Sequence, residues 1–254
     1  MMKKKNLQGV RLHDEMYLRT DRSKNVKHIF IKIIEEIVNY KKIEVNSICD
    51  IGCASGDLLF AVCEKFNNTV IHGIDVRQDL IKAAKKKVHN ASFFTGNINS
   101  LNFIKKNQRK YDVVVMSGVL QIFDDIKVPL DNCIKLLNKN GLLIIIGPFN
   151  PYPVDVIMRY ADYSKSKKID NRKHIPMQTG FNIFSCKHMK LFIKKNYPKF
   201  KISFDEIIFP KSMKYKINKT DLDRSWNIEI NNKNIWVNGN QIIQHQYLCK
   251  IISN

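Results

Sequence analysis

The residues whose types and spacing most clearly predict chemistry lie at positions 50–57, which read DIGCASGD. They stand between an apolar run and a helical pattern. Gly52 and Gly56 let the backbone turn tightly and lie against a ligand that a Cβ atom would push away. The first amides of the following helix face a ligand carboxylate. The segment therefore predicts a cofactor-binding loop between a strand and a helix.

The spacing of the two glycines separates this loop from the dinucleotide-binding loops. A G-x-G-x-x-G pattern makes room for a pyrophosphate, whereas here a G-x-x-x-G pattern follows an acidic residue. This difference argues against NAD or FAD and favours a cofactor without phosphates. Asp50 can face a ligand ammonium group. Asp75 follows Gly52 by about twenty residues, the offset expected of an acid that accepts both hydroxyls of a ribose.

The elements that must position these residues alternate along the first 148 residues. Apolar runs bounded by Gly, Asp and Asn predict strands at Ser47–Ile51, Val70–Ile74, Ser92–Phe94, Tyr111–Met116 and Leu142–Ile146. Helical spacing predicts helices at Val26–Val38, Leu58–Phe66, Gln78–Val88, Ile98–Lys106 and Asp124–Leu137. Such alternation indicates an α/β fold with a parallel sheet that helices cover on both faces.

Beyond Gly147 this alternation stops, and a polar, aromatic stretch runs to about Thr179. The patterns after it predict a helix near Ser185–Lys195, strands at Lys201–Phe209 and Ile242–Ile252, and a hairpin of Ser225–Ile230 and Asn234–Val237 turning at Asn231-Asn232. We interpret this part as an elaboration. A single domain over residues 1–254 is expected, with an N-terminal arm and helix (1–42), a cofactor-binding core (43–148) and substrate-lid elaborations with the final strands (149–254).

The order of the motifs between about Ile43 and Pro148 resembles the class I S-adenosylmethionine-dependent methyltransferases. The resemblance implies a Rossmann-like fold with a mostly parallel seven-stranded sheet, and S-adenosyl-L-methionine as cofactor. In that family the glycine loop holds the methionine part, the acid after the second strand binds the ribose, and residues after the third strand contact the adenine. The positions that this implies for cofactor binding are Asp50, Gly52, Cys53, Gly56, Asp75, Val76, Asn97, Ile98 and Ser117.

The methyl acceptor is less well specified. The segment after the fourth strand, Ser117–Gln121, has neither the Pro-Pro-aromatic motif of exocyclic amino methylation nor the Pro-Cys nucleophile of 5-methylcytosine formation. Residues 147–155, with Arg224-Ser225-Trp226 and Asn238–Gln241, loosely resemble methyltransferases of bacterial capsule and surface-polysaccharide gene clusters. This implies an O-methyltransferase for a small molecule or glycan precursor, with a sugar hydroxyl or a phosphoramidate oxygen as acceptor. RNA methylation, including ribose methylation, stays open as the alternative, as does a methyltransferase-like binding protein without catalysis.

Three residues of the expected lid are candidates for catalysis. His174 is the first candidate base, because the pKa of a histidine can lie near working pH. Asp155 and Arg159 are about one helical turn apart and can share a face toward the acceptor pocket. His174 can equally belong to a solvated basic turn, and the pair can be an ordinary surface ion pair. Tyr17 of the N-terminal arm can cover the cofactor or serve as a packing aromatic.

The amino-acid composition favours some classes of binding partner but does not identify one. The formal net charge of +20 favours polyanions, so a phosphorylated or nucleotide-linked acceptor is expected and nucleic acid is a weaker alternative. Lysines spread among many Asn and Ile residues can equally reflect an AT-rich coding sequence. The six cysteines are scattered without zinc-binding spacing, so no metal site is expected. The absence of a long apolar run predicts a cytoplasmic protein without membrane insertion. The sequence leaves the oligomeric state open.

Overall fold

The structure is a computed structural model that describes residues 12–19, 26–161, 163, 177–210, 225–238 and 242–253. Its strands are β1 (Ser47–Ile51), β2 (Val70–Asp75), β3 (Ser92–Thr95), β4 (Tyr111–Ser117), β5 (Leu137–Asn150), β6 (Arg159–Ala161), β7 (Met177–Thr179), β8 (Phe184–Ser185), β9 (Lys201–Glu206), β10 (Ser225–Ile230), β11 (Lys233–Asn238), β12 (Ile243–Gln244) and β13 (Gln246–Ile252).

The helices are α1 (His28–Asn39), α2 (Asp57–Lys65), α3 (Gln78–Lys87), α4 (Phe103–Lys106), α5 (Lys127–Lys135) and α6 (Cys186–Asn196). Two 3-10 helices cover Leu12–Leu18 and Leu120–Ile122. Within the described ranges, no helix is long and apolar enough to span a bilayer.

The central sheet has the strand order β3-β2-β1-β4-β5-β13-β9. The pairs from β3 through β5 are parallel, and β13 is antiparallel to both β5 and β9. The short strand β8 pairs in parallel with the far end of β5, beyond the end of β4. The prediction of a mostly parallel seven-stranded sheet is confirmed, with β8 as an addition.

Apolar side chains bury both faces of this sheet. In β4, Val113 and Val115 pack with residues of α1, α2 and α3, whereas Val114 and Met116 pack on the opposite face with residues of α5 and α6. All four side chains have no exposed surface. A strand with a core on each side needs a continuous apolar run, which explains the sequence of β4.

Several predicted elements differ from the observed ones, among them the strand expected at Lys201–Phe209, which ends at Glu206. The helix expected at Ile98–Lys106 is only the single turn α4, because the Asn97 side chain accepts the N–H of Asn99 at 2.9 Å and favours a turn there. Helix α5 starts later than expected, where the Asp125 side chain accepts the N–H of Lys127 at 2.8 Å. The final strand is broken at His245 into β12 and β13.

Strand β5 is longer than expected, since it continues through Pro148 to Asn150 against β13 and β8. The hairpin of β10 and β11 was predicted correctly. Its turn residues Asn231 and Asn232 both have positive φ, 49° and 61°. Asparagine tolerates this conformation better than most residues, and hairpin turns of the matching twist require it.

We expect Gly56→Ala to lower the free energy of unfolding by about 2 kcal/mol, because an L-residue is strained in the left-handed region. Gly56 has φ +80°, and a Cβ atom there would lie 3.2 Å from Val88 Cγ2 and 3.3 Å from Ala84 Cβ on α3. Gly118→Ala is the control. Its φ is +72° but the nearest atom to an added Cβ is 3.6 Å away, so only the strain remains. Urea denaturation measures both, and equal losses would contradict the contribution of crowding.

Candidate active site

A cleft opens at the carboxyl ends of β1 and β4. The chain leaves β1 toward β2 on one side and reaches β4 on the other, so the connections diverge and leave a crevice. The cleft encloses about 900 Å³, its open side included. It is lined by Asp14, Tyr17, Ile51, Gly52, Ala54, Ile74, Asp75, Val76, Arg77, Leu80, Gly96, Asn97, Ile98, Ser117, Gly118, Val119, Ile122 and Phe123.

The loop after β1 forms the floor of this cleft. The backbone N–H groups of Gly52 and Cys53 donate to the Ile74 carbonyl at 2.7 and 3.2 Å, so the loop stays joined to β2 beyond the strand pairing. A Cβ atom on Gly52 would lie 2.3 Å from Val119 Cγ2, which leaves no room for a side chain. Glycine is therefore required at this position, for space as well as for its φ of +75°.

Asp75 stands at the end of β2 with its carboxylate between two loops. Its Oδ2 accepts the backbone N–H of Ala54 at 3.0 Å, and its Oδ1 accepts that of Arg77 at 2.8 Å. Each carboxylate oxygen can accept further hydrogen bonds, so two ligand hydroxyls can still be bound. Burial raises the pKa of Asp75, and the two backbone N–H groups oppose that rise.

Asp50, the fourth residue of β1, lies behind the loop and is only 3% exposed. Burial raises the pKa of its carboxyl well above the ordinary range, and the nearby Asp75 carboxylate raises it further. Two carboxyl groups held together under a cleft repel each other when both are ionised. A ligand with a positive charge would relieve this repulsion, as expected of the ammonium end of the cofactor.

The opposite end of the cleft is formed by the segment after β3, where the sequence predicts contact with the adenine. Gly96 N–H donates to the Asp75 carbonyl at 2.9 Å, which places this segment beside Asp75. Ile98 is 5% exposed and supplies an apolar surface, while the exposed Asn97 carries an amide that can bond to the edge of a base. Acidic, amide and apolar groups thus lie along one wall of the cleft, and their contacts with ribose and adenine stay a prediction.

Most of the residues predicted for cofactor binding line the cleft: Gly52, Asp75, Val76, Asn97, Ile98 and Ser117. The other three, Asp50, Cys53 and Gly56, are not part of its lining. The positive φ of Gly56 turns the chain into α2. Burial raises the pKa of the Cys53 thiol well above its ordinary value. These three residues therefore lie behind the loop, where they affect its backbone conformation or its electrostatics without lining the cleft.

Sequence reasoning missed Asp14, Arg77 and Phe123 as parts of the cleft. Tyr17 does line it, in agreement with one of its two expected roles. The ammonium of Lys27 lies 5.6 Å from the centre of the Tyr17 ring. Nothing in the spacing of the N-terminal arm could have placed Asp14 there, since it is brought to the cleft by a 3-10 helix that packs beside α3.

The predicted catalytic residues are not brought together. His174 lies outside the described residues. Asp155 and Arg159 do not share a helical face, because the chain between them is not helical and Arg159 begins β6. That expectation was wrong, since the segment is tied to its neighbours as an extended chain. A catalytic role for any of the three stays a prediction.

Each member of the expected pair has another partner. Asp155 Oδ2 lies 2.6 Å from His188 Nδ1, and its Oδ1 accepts the N–H of Ser185 at 2.6 Å. Arg159 Nη2 donates to Asp124 Oδ2 at 2.6 Å. Neither Asp155 nor Arg159 lines the cleft. Within the described ranges, no three His, Cys, Asp or Glu side chains are grouped as metal ligands.

Residues 49–143 match a family model described as a methyltransferase domain. A malonyl-[acyl-carrier protein] O-methyltransferase of Halalkalibacterium halodurans is 28% identical over 131 residues, covering 50% of this chain and 48% of that protein. A second protein of that name, from Ilyobacter polytropus, is 25% identical over 195 residues, covering 74% of this chain and 66% of that protein. The chain thus spans from about half to just under two thirds of the length of these relatives.

Among solved structures, an S-adenosylmethionine-dependent methyltransferase from Clostridium acetobutylicum superposes with a TM-score of 0.58 at 12% sequence identity. The superposition covers 96% of this chain and 100% of that one. Identity this low shows a shared fold and nothing finer. The fold agrees with the strand order of the central sheet.

Asp75→Ala is expected to weaken binding of S-adenosylhomocysteine by at least about tenfold, because two hydroxyl acceptors and the anchor of Ala54 are lost together. Isothermal titration calorimetry measures the dissociation constant. The control is Asp112→Asn, at the other end of the sheet, where Asp112 accepts bonds from Asn46, Ser47 and Asn138. That variant is expected to lose stability and keep its affinity. Unchanged affinity in Asp75→Ala would remove this residue from the ribose site.

Asp50→Asn is expected to stabilise the protein without ligand at about pH 7.5, with a gain that shrinks toward pH 4. The raised pKa of Asp50 means that the folded state binds protons more tightly than the unfolded state. The wild-type protein therefore loses stability as pH rises from the ordinary carboxyl pKa toward the raised one, and the variant escapes that loss. Thermal unfolding across this range measures the difference. A gain that is independent of pH would contradict the electrostatic cause.

Proposed function

We propose that the protein, whose residues 49–143 match a family model described as a methyltransferase domain, is an S-adenosylmethionine-dependent O-methyltransferase for a small, negatively charged acceptor. The observation that carries the proposal is the meeting of the glycine loop and the ribose acid at one cleft. Asp75 Oδ2 accepts the N–H of Ala54 at 3.0 Å, which holds these two cofactor-binding features in a fixed relation.

S-adenosylmethionine, when bound, supplies a methyl group that its sulfonium already activates. The residues of this chain therefore mainly bind and orient. Gly52 and Ser117 would flank the methionine part, Asp75 would accept the ribose hydroxyls, and Asn97 with Ile98 would hold the adenine. Because transfer to an oxygen requires the acceptor in line with the methyl group, correct placement accounts for much of the rate.

Two observations support an anionic oxygen as the acceptor. The chain has 43 Lys and Arg residues against 23 Asp and Glu residues, a balance that raises the local concentration of anions. The two relatives described above are named for methylation of a malonyl group. A carboxylate or phosphate-type oxygen is already negatively charged and needs no base to become a nucleophile.

A hydroxyl acceptor, such as that of a sugar, would need a base. His174 remains the candidate from the sequence. Asp155 lies against His188, and neither side chain lines the cleft. The glycan-precursor and capsule role rests on the C-terminal sequence alone and stays a prediction.

The experiment has two stages. Calorimetric titration with S-adenosylmethionine, S-adenosylhomocysteine and NADH comes first, and micromolar binding of only the sulfur compounds is expected. Methyl transfer from S-[methyl-³H]adenosylmethionine is then measured with a malonyl thioester of N-acetylcysteamine, with a panel of phosphorylated and nucleotide-linked sugars, and with total RNA. Labelled product from the thioester or a phosphorylated sugar supports the proposal.

Two results would overturn it. Labelling of RNA alone, with strong salt dependence, would make the net charge a nucleic-acid feature and favour the RNA alternative. Failure to bind either sulfur compound would favour a methyltransferase-like protein without catalysis.

A further inference from the structure

We infer that two buried asparagines, Asn132 and Asn182, are positioning residues that separately set the two halves of the cleft. Asn132 holds the adenine side and Asn182 holds the acceptor side. The second half of this inference rests on the proposed function, because it needs an acceptor to enter beside the ends of β4 and β5. Neither side chain lines the cleft, so each acts through the backbone of a segment that does.

Asn132 lies on α5 and is 5% exposed. Its Nδ2 donates to the carbonyl of Ile98 at 2.7 Å and to that of Ser100 at 2.9 Å. Beyond β3 the segment around Ile98 has no strand partner, and it reaches only the single turn α4. One side-chain amide therefore satisfies two carbonyls of the adenine wall and determines where Ile98 stands.

Asn182 performs the corresponding task on the other side and is completely buried. Its backbone N–H donates to the Gln121 carbonyl at 3.0 Å, and its Nδ2 donates to the Phe123 carbonyl at 2.7 Å. Its Oδ1 accepts the N–H of Met158 at 2.8 Å. The residue thus joins the segment after β4, where Phe123 lines the cleft, to the chain that follows β5.

The acceptor side depends on this junction for a simple topological reason. The chain after β5 leaves the central sheet and returns as β8, so it needs anchors other than strand pairing. The ion pair between Arg159 and Asp124 spans the same junction, but both side chains are partly exposed, at 37% and 52%. Exposed ion pairs contribute little, whereas a buried amide that loses its partners leaves unsatisfied backbone groups.

A purely structural role would make the two residues equivalent. Either substitution would then lower stability and leave ligand binding untouched, or weaken all ligands alike. A positioning role predicts instead that the two substitutions affect different ligands. Loss of Asn132 affects the cofactor, and loss of Asn182 affects the acceptor, although both residues are asparagines buried to nearly the same degree.

The test compares Asn132→Ala with Asn182→Ala, after thermal unfolding has shown that both variants fold. Calorimetry with S-adenosylhomocysteine is expected to show about tenfold weaker binding for Asn132→Ala and less than a twofold change for Asn182→Ala. With the malonyl thioester as acceptor at saturating cofactor, Asn182→Ala is expected to lose about tenfold in kcat/KM. If either alanine variant unfolds, the serine variants N132S and N182S replace both, with smaller changes in the same directions.

Amide hydrogen exchange provides a reading that needs no acceptor. Asn182→Ala is expected to speed exchange at Met158 and Ile183, and Asn132→Ala to speed it around Ile98 and Ser100. Equal weakening of S-adenosylhomocysteine binding by both variants, or exchange that rises uniformly, would overturn the inference. If no acceptor is methylated even by the wild-type protein, the proposed function fails, while the calorimetric and exchange results still decide the division of roles.

Discussion

The Asp75 carboxylate is held between two backbone N–H groups, that of Ala54 at 3.0 Å and that of Arg77 at 2.8 Å. One belongs to the loop after β1 and the other to the loop after β2. These loops lead into α2 and α3, so a single side chain relates two crossovers of the sheet. The parallel pairing of β1 with β2 and β4 brings Asp75 to this place, and the arrangement of the cleft depends on it.

Burying acidic side chains at this place has a cost in stability. Asp50 and Asp75 are both buried, and each pKa is raised mainly by burial. A core of this size could accommodate uncharged residues at either position more favourably. A ligand with an ammonium group and hydroxyls, as expected of the cofactor, would offset this cost.

Strand pairing ends at the carboxyl ends of the parallel strands. Beyond these ends, side chains form the hydrogen bonds that hold the backbone in place. Asn132 satisfies two carbonyls after β3, and Asn182 joins the segments after β4 and β5. Carbonyls and N–H groups outside strands must still find partners when they are buried. Placing this task on asparagines, which both donate and accept, lets irregular walls keep one geometry around a ligand.

The sequence by itself determined the sheet, the order of the cofactor motifs and the positions of Gly52, Asp75 and Asn97. These features are local, because a few neighbouring residues specify a strand, a turn or the start of a helix. The tertiary structure alone decided the rest. Asp14 reaches the cleft because the N-terminal 3-10 helix packs beside it. Asp155 pairs with His188, a residue more than thirty positions away, so the helical face predicted from its spacing to Arg159 was wrong. Asn132 and Asn182 have no sequence signal at all, since their partners are backbone carbonyls and a backbone N–H, groups that nearly every residue carries and only folding brings within reach.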